Sequence, residues 1–359
     1  MLDTVTVPSL RQTGQGRRLA ARLRTFGVLP LLLVLLAVAL IGSLAMGRYS
    51  IGLPDLAATL LPSIFPASAG SDAATFATVV YQVRLPRVLA AVIIGAALAG
   101  AGTAYQGVFR NPMVSPDILG ASAGAGFGAA LAILLSLPGA GVQLFAFAFG
   151  IGAVAISWLV SMRFGRGNGV AVVLILSGMV VSTLFTSFLS MTKFVADPDS
   201  KLPAITFWLM GSLASVSPRD TLLVGIPVLV CGIPLLLLRW RLNVLSLGEE
   251  EARALGVDTR RLRLLVIVLA TVMTASSIAV CGMVGWVGLK IPHLSRMLVG
   301  PEHGRLLPVA LVLGGLYLLL IDDLARNLTS VEIPLGILTS LVGAPFFLWL
   351  MAKGRKTWA

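Results

Sequence analysis

"RLPRVLAAVIIGAALAGAGTAYQGVFRNPMVSPDILGASAGAG" occupies residues 84–126. Its segment near 86–109 is apolar almost throughout and sits between basic residues, with Arg84 and Arg87 at one end and Arg110 at the other. A bilayer core is crossed by about 20 apolar residues in helical form, so this segment reads as a membrane span. Small residues recur in it at helical spacing. Ala96 and Gly100 share one face, and Gly120, Gly124 and Gly128 share another in the next segment. Such faces let helix backbones approach closely where lipid supplies no hydrophobic drive. The stretch predicts a tightly packed bundle of membrane helices.

The rest of the chain repeats the pattern. Ten apolar segments are expected as spans, near 28–46, 86–109, 118–137, 142–162, 170–192, 220–239, 262–281, 283–299, 306–325 and 334–352. The seventh and eighth are parted only by "CGMVGWVG". The 359 residues are 57% hydrophobic and 12% charged, against about 25% charged in a soluble domain. Long unbroken apolar runs exclude a barrel of short alternating strands. The expected class is all-α and polytopic. Residues 1–27 form a basic tail, which is followed by a retained anchor rather than a cleaved leader, and residues 28–353 form one membrane domain.

With the N-terminus inside and the spans alternating, most of the 27 basic residues fall on the inner side, as the positive-inside rule requires. The net charge of +12 is then a topology signal. It is scattered over short loops, which argues against a nucleic-acid surface. Cys231 and Cys281 lie within apolar runs and suggest neither a disulfide framework nor a metal site. The chain has no G-x-x-x-x-G-K-[ST] phosphate loop. No carboxylate lies at the middle of a span, Asp322 and Asp323 being nearest to the membrane. Neither an ATPase site nor a proton relay is visible, and no catalytic cluster supports a membrane enzyme. Uphill transport would draw its energy from a partner.

One polar stretch stands out: "LGEEEARALGVDTRRLR", residues 247–263. Acidic residues at its start suit the positive end of a helix dipole. Gly256 is placed to end a short helix in a left-handed conformation, and Asp258 or Thr259 to cap the next one. It reads either as a surface helix that meets a partner or as a solvated connector.

Residues 84–126, 247–263 and "GWVGLKIPHLSRMLVGPEHGRLLP" with "EIPLGILTSLVGAPFFLWLM" across most of 285–351 together resemble the permease subunits of bacterial ABC importers for iron-siderophores, haem and vitamin B12. The resemblance runs along nearly the whole chain from about residue 28. It implies the ten-helix type II importer permease fold, with a homodimer or a pairing with a close relative. It also implies two ATPase subunits that bind ATP and Mg, and one external binding protein. No cofactor is implied in this chain. The place is a bacterial inner membrane, with both termini cytoplasmic.

The resemblance also assigns positions. Glu249, Glu250, Glu251, Arg253, Ala254, Leu255, Gly256, Val257 and Asp258, within coupling helices at about 248–259, match the element that seats in each ATPase. Arg84, Arg87 and Arg326 match basic residues that receive carboxylates of the binding protein; the alternative is snorkelling of helix-end arginines. Asn111 and Met113 match an inner constriction, and Gly167 and Asn168 a second; plain turn chemistry is the alternative. Thr183, Thr186, Ser187 and Ser190 make a hydroxyl stripe on the fifth span, facing a channel or bonding back to their own helix. Residues 201–216 resemble a short outer helix over the entrance. Lys290 departs from the apolar residue usual in the family. It is expected to reach the inner surface or a loop carbonyl, or else to tune the path for an anion. The cargo expected is a ferric siderophore, with haem, cobalamin or molybdate in the same frame, and a self-sufficient carrier as the rival from another class.

Overall fold

A computed structural model of the chain describes residues 11–47, 49, 51–60, 73–165 and 170–354. Among these, every regular element is helical. In order they are α1 (Arg11–Ala45), α2 (Leu53–Leu60), α3 (Ala73–Thr78), α4 (Leu85–Phe109), α5 (Ala121–Leu134), α6 (Gly139–Phe164), α7 (Val170–Val195) and α8 (Lys201–Met210). Then follow α9 (Pro218–Leu237), α10 (Arg239–Leu247), α11 (Glu249–Ala254), α12 (Thr259–Cys281), α13 (Val287–Val299), α14 (His303–Asn327) and α15 (Leu335–Gly354).

All ten expected segments are helices, but not all are full crossings. Among the described residues, seven stretches are long and apolar enough to span a bilayer: Gly27–Ala45, Ala74–Phe109, Gly139–Phe164, Val172–Val195, Pro218–Leu237, Thr259–Cys281 and His303–Asn327. The described part of α15 is a shorter apolar helix, as is α5, and α13 has 13 residues. α5 is lengthened by a 3-10 turn at Pro116–Leu119. α13 follows an irregular link after Cys281, which confirms the break expected at "CGMVGWVG". Irregular backbone inside a membrane must find its partners within the protein. Here Ser212 N–H donates to Cys281 O at 2.8 Å, and Leu335 N–H donates to Gly211 O at 2.9 Å.

Two boundaries differ from expectation. α1 runs unbroken from Arg11, so the described part of the basic tail continues the first span as helix. The second span begins earlier than 86: α3, a π-helical turn at Val79–Arg84 and α4 follow one another without a gap. Pro86 has no N–H to give to a helix carbonyl, and the wider π turn lies immediately before it.

α4 is the axis of the bundle, packed by α14, α12, α13 and α9. Its approach to antiparallel α14 is close enough for backbones to touch. A Cβ on Gly95 would lie 2.2 Å from Gly314 O, and one on Gly314 would lie 2.4 Å from Gly95 O. Gly102 meets Gly288 O of α13 at 1.9 Å by the same measure. Pro292 explains why that carbonyl is free, since a proline four residues on cannot donate to it. The expected face at Ala96 and Gly100 is therefore corrected: Gly95 and Gly102 make the backbone contacts, while Gly100 meets the Leu311 side chain. In α5 the expectation holds for Gly124 and Gly128, which face Phe149 O and Phe145 O of α6. Gly120 serves differently, as the N-cap residue at φ +93.

Gly314→Val should force α4 and α14 apart. Overpacking of this kind costs about 1–3 kcal/mol, and thermal unfolding in detergent should show a lowered midpoint. Gly152→Ala, where an added Cβ meets nothing within 4 Å, should leave that midpoint unchanged or slightly raised.

Candidate functional site

Arg84, Arg87 and Arg326 come together at one end of the bundle, where α1 and α14 finish and α4 begins. None of them reaches outward as a snorkelling arginine would; they are 4%, 7% and 9% exposed. Each has acceptors inside the chain. Arg84 Nη1 donates to Leu44 O at 2.6 Å and Ala45 O at 3.0 Å, and Nη2 donates to Tyr49 O. The last carbonyls of a helix have no partner within it, so Arg84 closes the end of α1. Gly47 is needed there, because a Cβ would sit 2.8 Å from Arg84 Nη2.

Arg87 is gripped along two edges. Nε donates to Asp322 Oδ2 at 3.0 Å, and Nη2 donates to Asp322 Oδ1 at 2.9 Å. Nη1 and Nη2 donate to Glu332 Oε1 and Oε2, both at 2.9 Å. Arg326 Nη2 donates to Ser43 Oγ at 2.7 Å and to Asp323 Oδ1, and its Nε lies 3.4 Å from Asp322 Oδ2. The cluster is balanced in number, with three cations and the carboxylates of Asp322, Asp323 and Glu332; Arg87 and Arg326 meet the carboxylates, and Arg84 meets only carbonyls. The fold aligns it: Arg87 and Asp322 both stand about two helical turns from the Gly95–Gly314 crossing, on antiparallel helices. Sequence reading placed the arginines but not their partners. An acid four residues before Arg326 was the available signal for Asp322; nothing marked Glu332.

The other end carries the polar stretch. α10 and α11 are parted by Gly248, whose φ is +149. α11 closes with Gly256 N–H donating to Arg253 O at 2.9 Å and Val257 N–H to Ala252 O at 3.0 Å, the paired bonds of a Schellman ending. Gly256 has φ +78, and Asp258 caps α12 by accepting from Arg261 N–H at 3.0 Å, both as expected. Glu249 turns inward to Arg253 at 3.0 Å and Arg263 at 3.5 Å. Ala252 is buried and Val257 half-buried. Glu250, Glu251, Arg253, Ala254, Gly256 and Asp258 are exposed, and Leu255 is 58% exposed. The stretch is thus a rigid knuckle with an apolar tip. Beside it is a cavity of about 490 Å³ lined by Arg110, Leu245, Glu250 and Arg263, among others.

Asn111 and Met113 lie exposed in the turn after α4. Asn111 Oδ1 accepts from Met113 N–H at 2.9 Å, so the turn chemistry is present. Gly167 and Asn168 lie outside the described residues. Thr183, Thr186, Ser187 and Ser190 are exposed on one side of α7, and each donates to the carbonyl four residues back. The stripe therefore presents hydroxyl lone pairs, its protons being held by the helix. The expectation for Lys290 is corrected: it reaches neither a surface nor a loop. It is buried, and its Nζ donates to Tyr317 Oη of α14 at 2.7 Å, 4.6 Å from that ring's centroid. A buried cation needs such a partner, and helix packing placed Tyr317 within reach.

The long apolar helices define a polytopic membrane protein, with an arginine–carboxylate cluster at one end of the bundle and a polar knuckle at the other. The chain belongs to the FecCD transport family, whose profile matches residues 34–353. It is 45% identical over 328 residues to the molybdate import system permease protein of Haemophilus influenzae, covering 91% of this chain and 95% of that one. It is 38% identical over 335 residues to the hemin transport system permease protein of Yersinia pestis, covering 92% and 96%. Its fold matches a metal-chelate-type ABC transporter solved in an inward-facing conformation, with TM-score 0.81 and 42% identity, covering 91% of this chain and 99% of that one. The family consists of ABC permease subunits, so ATP hydrolysis belongs to a separate subunit.

Asp322→Asn would leave Arg87 and Arg326 facing a neutral group in a buried site. Breaking a buried pair in this way costs about 3–5 kcal/mol, so the variant should unfold at markedly lower temperature or fail to accumulate. Arg253→Ala, at an exposed pair four residues apart, should shift stability by less than about 0.5 kcal/mol.

Proposed function

We propose that this chain forms half of the translocation pathway of an ATP-driven importer of a metal chelate in a bacterial inner membrane. The observation that carries this reading is the α11 knuckle. Glu249 is tied to Arg253 and Arg263, so the base is fixed while Leu255 stands out at the tip. An exposed leucine on a braced base can seat in a cleft and transmit displacement; a solvated connector needs neither the brace nor the apolar tip. Two ATPase partners, binding ATP and Mg, would take one knuckle each from two permease copies. The knuckle end is then cytoplasmic, together with both termini, and the arginine end faces the binding protein.

The remaining positions fit this arrangement. The exposed stripe of Thr183, Thr186, Ser187 and Ser190 would face a second copy across the path. It offers acceptors but no charge, as suits a solute that must not be held tightly. Asn111 and Met113, with Gly167 and Asn168, would narrow the inner mouth. Arg84, Arg87 and Arg326 would form the docking end, reached through a shallow opening of about 190 Å³ lined by Gly47, Tyr49, Val83 and Glu332.

The cargo inferred from the sequence is a ferric siderophore. A second reading, a molybdate-type oxyanion, is favoured by the 45% identity to a molybdate permease. The purified complex distinguishes them. ATP turnover should rise severalfold with cognate binding protein loaded with the true cargo, and not with the other. Leu255→Asp should abolish co-purification of the ATPase while leaving the permease folded; an intact complex would remove the coupling role. The lone permease in liposomes should accumulate nothing against a gradient, and accumulation would favour a self-sufficient carrier.

A further inference from the structure

The cluster at the arginine end has one member unlike the others. Asp322 and Asp323 sit on α14, and Asp322 is wholly buried. Glu332 instead belongs to the loop between α14 and α15, and its side chain is 31% exposed. It nevertheless meets Arg87 in the strongest geometry the pair allows, two parallel bonds of 2.9 Å. The loop is anchored just beyond it, by Ile333 N–H donating to Ala325 O at 3.2 Å. On its other side the loop is folded on itself, Thr329 Oγ1 donating to Val331 O, with Val331 77% exposed at the tip. Glu332 and Arg87 both line the opening at this end, beside Tyr49 and Val83.

We propose that Glu332 is an internal stand-in for a partner's carboxylate, and that an acidic binding-protein lobe docks by displacing it from Arg87. The inference rests on the docking role given to this end above. Chemistry supports exchange over simple addition. With Glu332 in place, the cluster holds three cations and three carboxylates, and the Arg87 guanidinium is met along both forked edges. An incoming Glu or Asp would meet a neutral, filled site. When the loop swings out, one bidentate position opens and the cluster carries one uncompensated positive charge. A carboxylate from the partner restores both, with the same fork geometry. Arg84 and Arg326 keep their internal partners throughout, so only one ion pair changes hands. Between docking events the empty permease is thereby spared a half-matched Arg87, held by Asp322 alone. Tyr49, Val83, Leu328 and Val331, all exposed, supply an aromatic and apolar rim for a protein surface.

The test uses the whole permease–ATPase complex in lipid nanodiscs, with the cognate binding protein titrated onto it. Glu332→Gln removes the competing charge, so docking should tighten roughly tenfold, by the scale of one partly exposed charge-assisted bond. Glu332→Asp keeps the charge but shortens the reach, so its affinity should fall between the two. It decides the matter if the Gln variant assembles poorly. Unchanged or weaker docking by an assembled variant overturns the proposal; a merely structural Glu332 would lower thermal stability and leave the docking constant alone. A bulky label on Val83→Cys separates the two levels, since Cys231 and Cys281 are buried. If the label blocks docking while Glu332→Gln changes nothing, the docking end stands and the exchange falls. If the label leaves docking intact, both fall.

Discussion

Everything in this molecule depends on how closely α4 and α14 approach. Lipid offers membrane helices no hydrophobic reward for associating, so packing contacts must hold them together. Gly95 and Gly314 let the two backbones touch. The contact also sets register. Side chains two turns away on each helix are brought face to face, and these are Arg87 and Asp322. The ion pair in turn fixes the end of α14 and, through Arg326 and Ser43, the end of α1. A pair of glycines thus decides where a buried charge cluster forms.

The two ends of the bundle solve opposite problems. At the arginine end, charge is buried and must find opposite charge or carbonyls within the protein, because an unpaired guanidinium in a low-dielectric setting is very costly. At the knuckle end, charge is mostly exposed and contributes little to stability; its value is in shape and solubility. Glu249 and Arg263 are turned inward there, and their pairing braces the turn against α12. The same residue types therefore act as fasteners at one end and stand mostly exposed at the other.

Broken helices carry the remaining irregularity. The link between α12 and α13 meets the end of α8 and the start of α15, with carbonyls of each segment close to glycines of the others. Gly282 at φ +73 and Trp286 at φ +71 make the turn, and Trp286 packs against Phe347. Such a junction is tolerated in a membrane because its polar backbone groups find partners in the protein and not in lipid.

The sequence by itself determined the class, the ten helices, the polar knuckle and its caps. Each of these follows from local rules: apolar length, left-handed glycine at 256, an aspartate before α12. The resemblance to the family singled out Arg84, Arg87 and Arg326. Only the tertiary structure decided what these residues touch. Asp322, Glu332, Ser43 and Tyr317 are remote in sequence from most of their partners, and no periodicity relates them. It also decided that Gly95 and Gly102, not Ala96 and Gly100, meet neighbouring backbones. A helix's small face is visible in one dimension, but the rotation that selects which face is used comes from all its neighbours at once.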